Sequence, residues 1–197
     1  MGAVCSSPPP TAPNLDIARY TGFDTPDKQR LWYCVYALPQ IWMPETHHTV
    51  RALYKWDPDA QEMRLRNTSM NSRNVKRQIF GSAWVNPNYQ TNSKLLVEFD
   101  FSSYIPLLGN LVPNLIPAHY WILMVADDYR YAVVSAPCRT SLFLLSSTPN
   151  LDVDDLEYIL QKLVEVHGFT RHQLHRLHKY ELPTEPAEQA ELEFTDF

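Results

Sequence analysis

Glycine is scarce in this chain of 197 residues, five against 16 prolines, and the prolines fall in loops and at the N-terminus. Long apolar runs are missing too. None approaches the ~18 consecutive residues of a transmembrane helix, which excludes a helical membrane span. Cysteine is rare: Cys5, Cys34 and Cys138 are odd in number and widely spaced, so they make neither a disulfide framework nor a zinc pattern. Cys34 and Cys138 can pair or stay as two reduced thiols. Basic residues are missing from one region in particular. Glu181 to Phe197 holds six acidic residues and no Lys or Arg, so the net charge of -5 resides in a tail expected to be solvated and disordered. The remainder is near neutral without a basic stripe, which argues against nucleic acid as a partner. Only four residues precede Cys5, and they form no apolar segment of the kind a secretory signal needs.

What is present suits one domain with tails, 45% hydrophobic and 12% aromatic. Tyr120 to Asn150 is its most ordered stretch. The runs Trp121–Val125 and Tyr131–Ser135 flank the turn Ala126-Asp127-Asp128-Tyr129-Arg130 and predict a hairpin. Leu142–Leu145 adds a strand, and Ser147-Thr148-Pro149 stops it. Upstream, Leu31–Leu38, Thr49–Trp56, Met63–Met70, Ile79–Val85 and Lys94–Phe101 read as strands, for eight in all. Asp152 can cap a helix over about 152–167 whose Val153, Leu156, Leu160 and Leu163 share a face, with Gly168 ending it. A last short strand is expected near Leu174–Leu177. The fold class is therefore all-β: an eight-stranded antiparallel up-and-down barrel with one C-terminal α-helix packed outside.

The N-terminus, Met1-Gly2-Ala3-Val4-Cys5-Ser6, fits the N-myristoylation pattern at Gly2, and Cys5 is placed for S-acylation. Both are needed, since one myristoyl chain binds membranes with K of only ~10⁴ M⁻¹. Ser7 to Pro13 then reads as a stiff spacer. The expected organisation is a tether over 1–14, a barrel over 15–180 and the acidic tail over 181–197. The expected location is the cytosolic face of a membrane.

Trp32-Tyr33 with Val35 and Ala37, Asp128-Tyr129-Arg130-Tyr131-Ala132, and Leu144-Leu145-Ser146-Ser147-Thr148-Pro149 together resemble the three motifs of the lipocalin family, over roughly Leu15 to Lys179. The group of bacterial outer-membrane lipocalins and apolipoprotein D is the most similar in pattern. Cys5-Ser6-Ser7-Pro8 also looks like the lipidated start of those bacterial proteins. A start upstream of Met1 would make Cys5 a lipoprotein cysteine, the alternative for localisation. Two positions depart from the family: Arg30 stands at the first-motif glycine, and Ser147 stands at the third-motif arginine that stacks on the motif tryptophan. A cation–π contact of ~0.5–2 kcal/mol is lost there unless another cation, such as Arg30, replaces it.

The resemblance implies a calyx for a small hydrophobic ligand such as a fatty acid or lysophospholipid, with no cofactor. Its strand parity points Trp32, Cys34 and Tyr36 inward, with Trp32 and Arg30 at the floor. Val50, Ala52 and Tyr54 follow, then Leu65, Asn67, Ile79 and Ala83. Leu95, Val97, Phe99, Tyr120, Ile122 and Met124 come next, and Ala132, Val134, Phe143 and Leu145 complete the lining. Trp42 in the first loop and Leu107, Leu108 and Leu111 in a long apolar, proline-rich loop fall at the mouth, where they suit a bilayer or a protein partner. Other constellations carry less. Asp127 and Asp128 are explained by the turn. His172, His175 and His178, every third residue, do not converge on a metal ion, and His47-His48 are solvated. The alternatives to a carrier are a lipid-modifying enzyme using Cys34 and a module that docks a protein through its mouth.

Overall fold

The computed structural model describes residues 7–25, 28–40, 43–100 and 117–182. Eight strands run in order: β1 (Gln29–Ala37), β2 (His48–Asp57), β3 (Glu62–Met70), β4 (Lys76–Val85), β5 (Lys94–Asp100), β6 (Ala118–Val125), β7 (Tyr131–Ser135) and β8 (Leu142–Ser146). Each pairs antiparallel with the next, and β1 pairs with both β2 and β8, so the sheet closes into a barrel. A ninth strand, β9 (His178–Lys179), adds to β1 beside Tyr36 and Ala37. Closure leaves the eight barrel strands almost no free edge, and the turns between consecutive strands suffice to connect them.

Two apolar layers hold this arrangement. One fills the barrel and includes Trp32, Met63, Leu65, Leu95 and Ile122. The other lies between the barrel wall and helix α2 (Val153–Glu165), where Val35, Trp121, Leu123, Val133, Leu142 and Leu144 meet Ile159 and Leu163. Strands β7 and β8 thus bury both faces, which is why they read as continuous apolar runs rather than alternating ones. Asp152 caps α2 by accepting from the Asp154 amide at 2.8 Å. Arg130 grips Asp155 through two hydrogen bonds of 2.7 Å, tying the β6–β7 turn to the first turn of the helix.

Several expectations change. Val153 is 67% exposed and lies off the helix's buried stripe, whereas Ile159 is fully buried on it. The segment after the helix is not a strand at Leu174–Leu177. Thr170 and Gln173 form a capping box that starts a short helix, Arg171–Leu174, and the strand comes only at His178. His172 consequently lies in that helix and His175 at its C-cap, apart from His178 in β9. Another short helix, Ile17–Tyr20, precedes the barrel and was not signalled by periodicity because it has only four residues.

Ser7 to Pro13, expected to stand off as a spacer, instead lies along the barrel, as does the chain on to Leu15. The Ala12 amide donates to Ile122 O at 2.9 Å, and the Ala12 carbonyl accepts from Ser93 Oγ. The Pro10 carbonyl accepts from His167 Nδ1 at 3.1 Å, and the Ser7 carbonyl from Arg139 Nη2 at 3.0 Å. Pro9, Ala12 and Leu15 are buried. A polyproline-like segment has no internal hydrogen bonds, so its carbonyls are free to accept from neighbouring side chains in this way.

Candidate ligand-binding cavity

The closed end is built from the N-terminal turn and the start of β1. Gly22, with φ of +79°, lets the chain fold directly over the Gln29 backbone, where a Cβ would meet the Gln29 carbonyl. Trp32 is fully buried above this turn and donates from Nε1 to Tyr20 O at 3.3 Å. Arg30 supplies the cation that Ser147 does not. Its guanidinium lies 5.6 Å from the Trp32 ring centre and 5.7 Å from that of Tyr129, and it donates to the Arg19 and Tyr129 carbonyls. Asp24 sits 3.8 Å from it. The first-motif glycine and the third-motif arginine are thus absent together, and one residue in place of the first takes over the stacking role of the second.

Above the floor, a cavity of about 870 Å³ opens between the β7–β8 turn and the loop after β1. Val50, Ala52, Tyr54, Asn67, Val97, Phe99, Tyr120, Val134, Phe143 and Leu145 all line it, as expected from strand parity. Leu65, Ala83, Leu95, Ile122 and Ala132 also point inward but belong to the packed layer beneath the open space. Ile79 lines a small hollow at the rim with Asn67 and Arg77. Parity alone cannot separate the filled half of a barrel from the empty half, because both halves use the same inward positions.

Tyr36 and Met124 are corrections. Both belong to the outer layer under helix α2. In β1, Cys34 faces Leu145 and Tyr36 faces Leu144, so β1 carries one extra residue. In β6, Ile122 faces Val134 and Met124 faces Val133, the same count. Each extra residue is a β-bulge that reverses the inward side of the strand beyond it. Ala37 and Val125 therefore point inward in place of Tyr36 and Met124. Gly2, Cys5, Trp42, Leu107, Leu108 and Leu111 lie outside the described residues.

The sequence reading missed Gln40 from the first loop, and Ala136, Pro137, Cys138, Thr140 and Ser141 from the β7–β8 turn, all of which line the mouth. Turn residues follow no strand period, so no pattern marks them. Cys138 is disulfide-bonded and Cys34 is a free, buried thiol, so these two do not pair with each other.

Three phenols meet deep in the cavity. Tyr120 Oη lies 2.6 Å from Tyr20 Oη and 2.9 Å from Tyr54 Oη. Burial pushes all three phenols well above the usual tyrosine range, so they remain neutral hydroxyls. Cys34 also faces this space, and burial pushes its thiol up to about 12. Its Sγ is placed to donate a hydrogen bond to the Tyr36 carbonyl at 3.7 Å.

A closed antiparallel barrel with a floor tryptophan under a cation, an external helix and an apolar internal cup defines a calyx that encloses small hydrophobic molecules. The lipocalin-like domain model matches residues 15–179, and the chain belongs to the lipocalin family, whose members bind small hydrophobic ligands. Temperature-induced lipocalin-1 of Arabidopsis thaliana is 28% identical over 171 residues, 87% of this chain and 83% of the relative. In structure the chain is similar to insecticyanin from the tobacco hornworm Manduca sexta, with a TM-score of 0.66 at 16% identity over 93% of this chain and 89% of that one. It is also similar to H1 crustacyanin from the lobster Homarus americanus, with a TM-score of 0.59 at 14% identity over 89% and 90%. At these identities the structural likeness concerns the fold.

Proposed function

We propose that this lipocalin is a non-catalytic carrier or buffer of a fatty acid, a lysophospholipid or a similar lipid, held in the cup. The observation that carries the reading is the cavity of about 870 Å³, lined by Val50, Ala52, Val97, Phe99, Val134, Phe143 and Leu145. Binding is driven by acyl-chain burial at ~0.8 kcal/mol per CH₂. Equilibrium titration with a fluorescent fatty acid tests it: saturable binding, competed by palmitic acid, is expected, and no saturable binding refutes the reading. Catalysis through Cys34 is disfavoured because the thiolate is the nucleophile and burial keeps this thiol protonated. A Cys34→Ala variant is expected to bind lipid as the parent does.

Membrane tethering is the second part of the proposal, and the Gly2 and Cys5 pattern supports it. Mass spectrometry of the N-terminal peptide from cells tests acylation at Gly2 and Cys5. Gly2→Ala is expected to release the protein into the soluble fraction, and a variant that stays membrane-bound rules out acylation at Gly2 as the anchor. The mouth residues Trp42, Leu107, Leu108 and Leu111 are proposed to meet the bilayer, or a protein in the alternative reading. Serine at the three leucines is expected to weaken liposome binding of the non-acylated protein, and an unchanged affinity argues against membrane contact there.

A further inference from the structure

The depth of the cavity is not uniformly apolar. Three phenol oxygens make two contacts among themselves, Tyr20 to Tyr120 and Tyr120 to Tyr54. Three hydroxyls carry three hydrogens, and two contacts use two of them. One O–H donor remains without a protein acceptor among the described residues. On the same inner surface, Asn67 Oδ1 is buried and has no hydrogen-bond partner. Asn67 stands opposite Ala52, and Tyr54 stands opposite Leu65, so Asn67 and Tyr54 are diagonal neighbours on adjacent strands. Both line the cavity. The cup thus presents one unused donor and one unused acceptor on its inner surface.

A saturated hydrocarbon end placed against these groups would leave both unpaired, and a buried polar group without a partner is costly. A carboxylate is the wrong complement as well. The burial that keeps the three phenols neutral also opposes an anion. The nearby guanidinium of Arg30 is engaged with Asp24 and the carbonyls of Arg19 and Tyr129. A neutral hydroxyl supplies what is missing, because it accepts from a phenol and donates to an amide oxygen at once.

We infer that the ligand is an apolar molecule whose buried end carries a neutral hydroxyl group, received by the Tyr20–Tyr120–Tyr54 cluster and Asn67. This rests on the carrier reading above and narrows it from plain acyl chains to chains or ring systems oxygenated at the inner end.

Palmitic acid and ω-hydroxypalmitic acid differ only at the inner end when their carboxylates face the mouth, so they make a matched pair of probes. Calorimetric titration of the full chain with both at neutral pH is expected to show the ω-hydroxy acid binding about tenfold tighter, a difference of about 1.4 kcal/mol. Tyr120→Phe removes the central hydroxyl and is expected to reduce the preference to about twofold or less. Asn67→Leu provides an independent variant, expected to do the same, should Tyr120→Phe fail to fold. Equal affinity for the two acids in the parent protein overturns this inference and leaves the carrier reading intact. A preference that survives both substitutions also overturns it. Binding of neither acid overturns the carrier reading itself, and this inference with it.

Discussion

Strands β7 and β8 are apolar on both faces because the barrel core lies on one side and helix α2 on the other, whereas β4 and β5 bury one face only. The one-sided wall alternates, so each residue's direction follows from its neighbours. The two-sided wall does not alternate, and a reversal of direction leaves no mark on its hydrophobicity. Both misplaced lining residues, Tyr36 in β1 and Met124 in β6, come from strands under the helix. Every inward assignment in β3, β4 and β5 is placed inward or at the rim. Burial on both sides conceals the bulge while giving the wall most of its packing.

The two walls should differ most in stability. Leu163→Ala, under the helix, is expected to cost about 2–5 kcal/mol in denaturant unfolding. Gln78→Ala, on the outer side of β4, should stay within about 0.5 kcal/mol. Similar costs at both sites would mean that the helix-covered wall is not the stabilising one.

The bulges can be checked by separating stability from ligand affinity. Phe143→Ala removes a cavity side chain and is expected to weaken fatty-acid binding roughly tenfold. Met124→Ala should lower the melting temperature yet change affinity by no more than about twofold. A large affinity loss at Met124 would restore the unbulged register.

At the floor, Arg30→Met removes the cation over Trp32 and should cost about 0.5–2 kcal/mol, read from chemical denaturation. A neutral result would show that the missing third-motif arginine is not compensated by Arg30.

The smallest effect concerns His167, which joins α2 to the N-terminal segment through Pro10. Burial lowers its pKa, so the folded state holds a neutral imidazole. The unfolded chain then binds more protons below an unfolded value of about 6.5, and stability falls as pH drops through that value. It levels off once the folded imidazole also protonates. His167→Gln should flatten this slope, and an unchanged slope would assign the pH dependence to other groups.

The barrel, its eight strands and the Asp152 cap were readable because each carries a local signal: strand runs between turns, and an acceptor before an amphipathic stretch. The resemblance supplied the floor tryptophan. The cavity was only partly readable. Val97 and Phe99 were placed by parity, but the level at which the interior changes from packed to open depends on side chains from opposite walls. Tyr20, which joins the phenol cluster, comes from a four-residue helix outside the barrel, where no period exists to follow. The docking of Ser7 to Leu15 was likewise hidden, since proline-rich composition reads the same whether the segment is free or seated.

Native mass spectrometry of the purified full chain tests the central claim most directly. The account predicts a one-to-one complex with a co-purifying apolar molecule, removable by solvent extraction and restored by ω-hydroxypalmitic acid. A delipidated chain that forms no saturable complex with palmitic acid, ω-hydroxypalmitic acid or a lysophospholipid would contradict it.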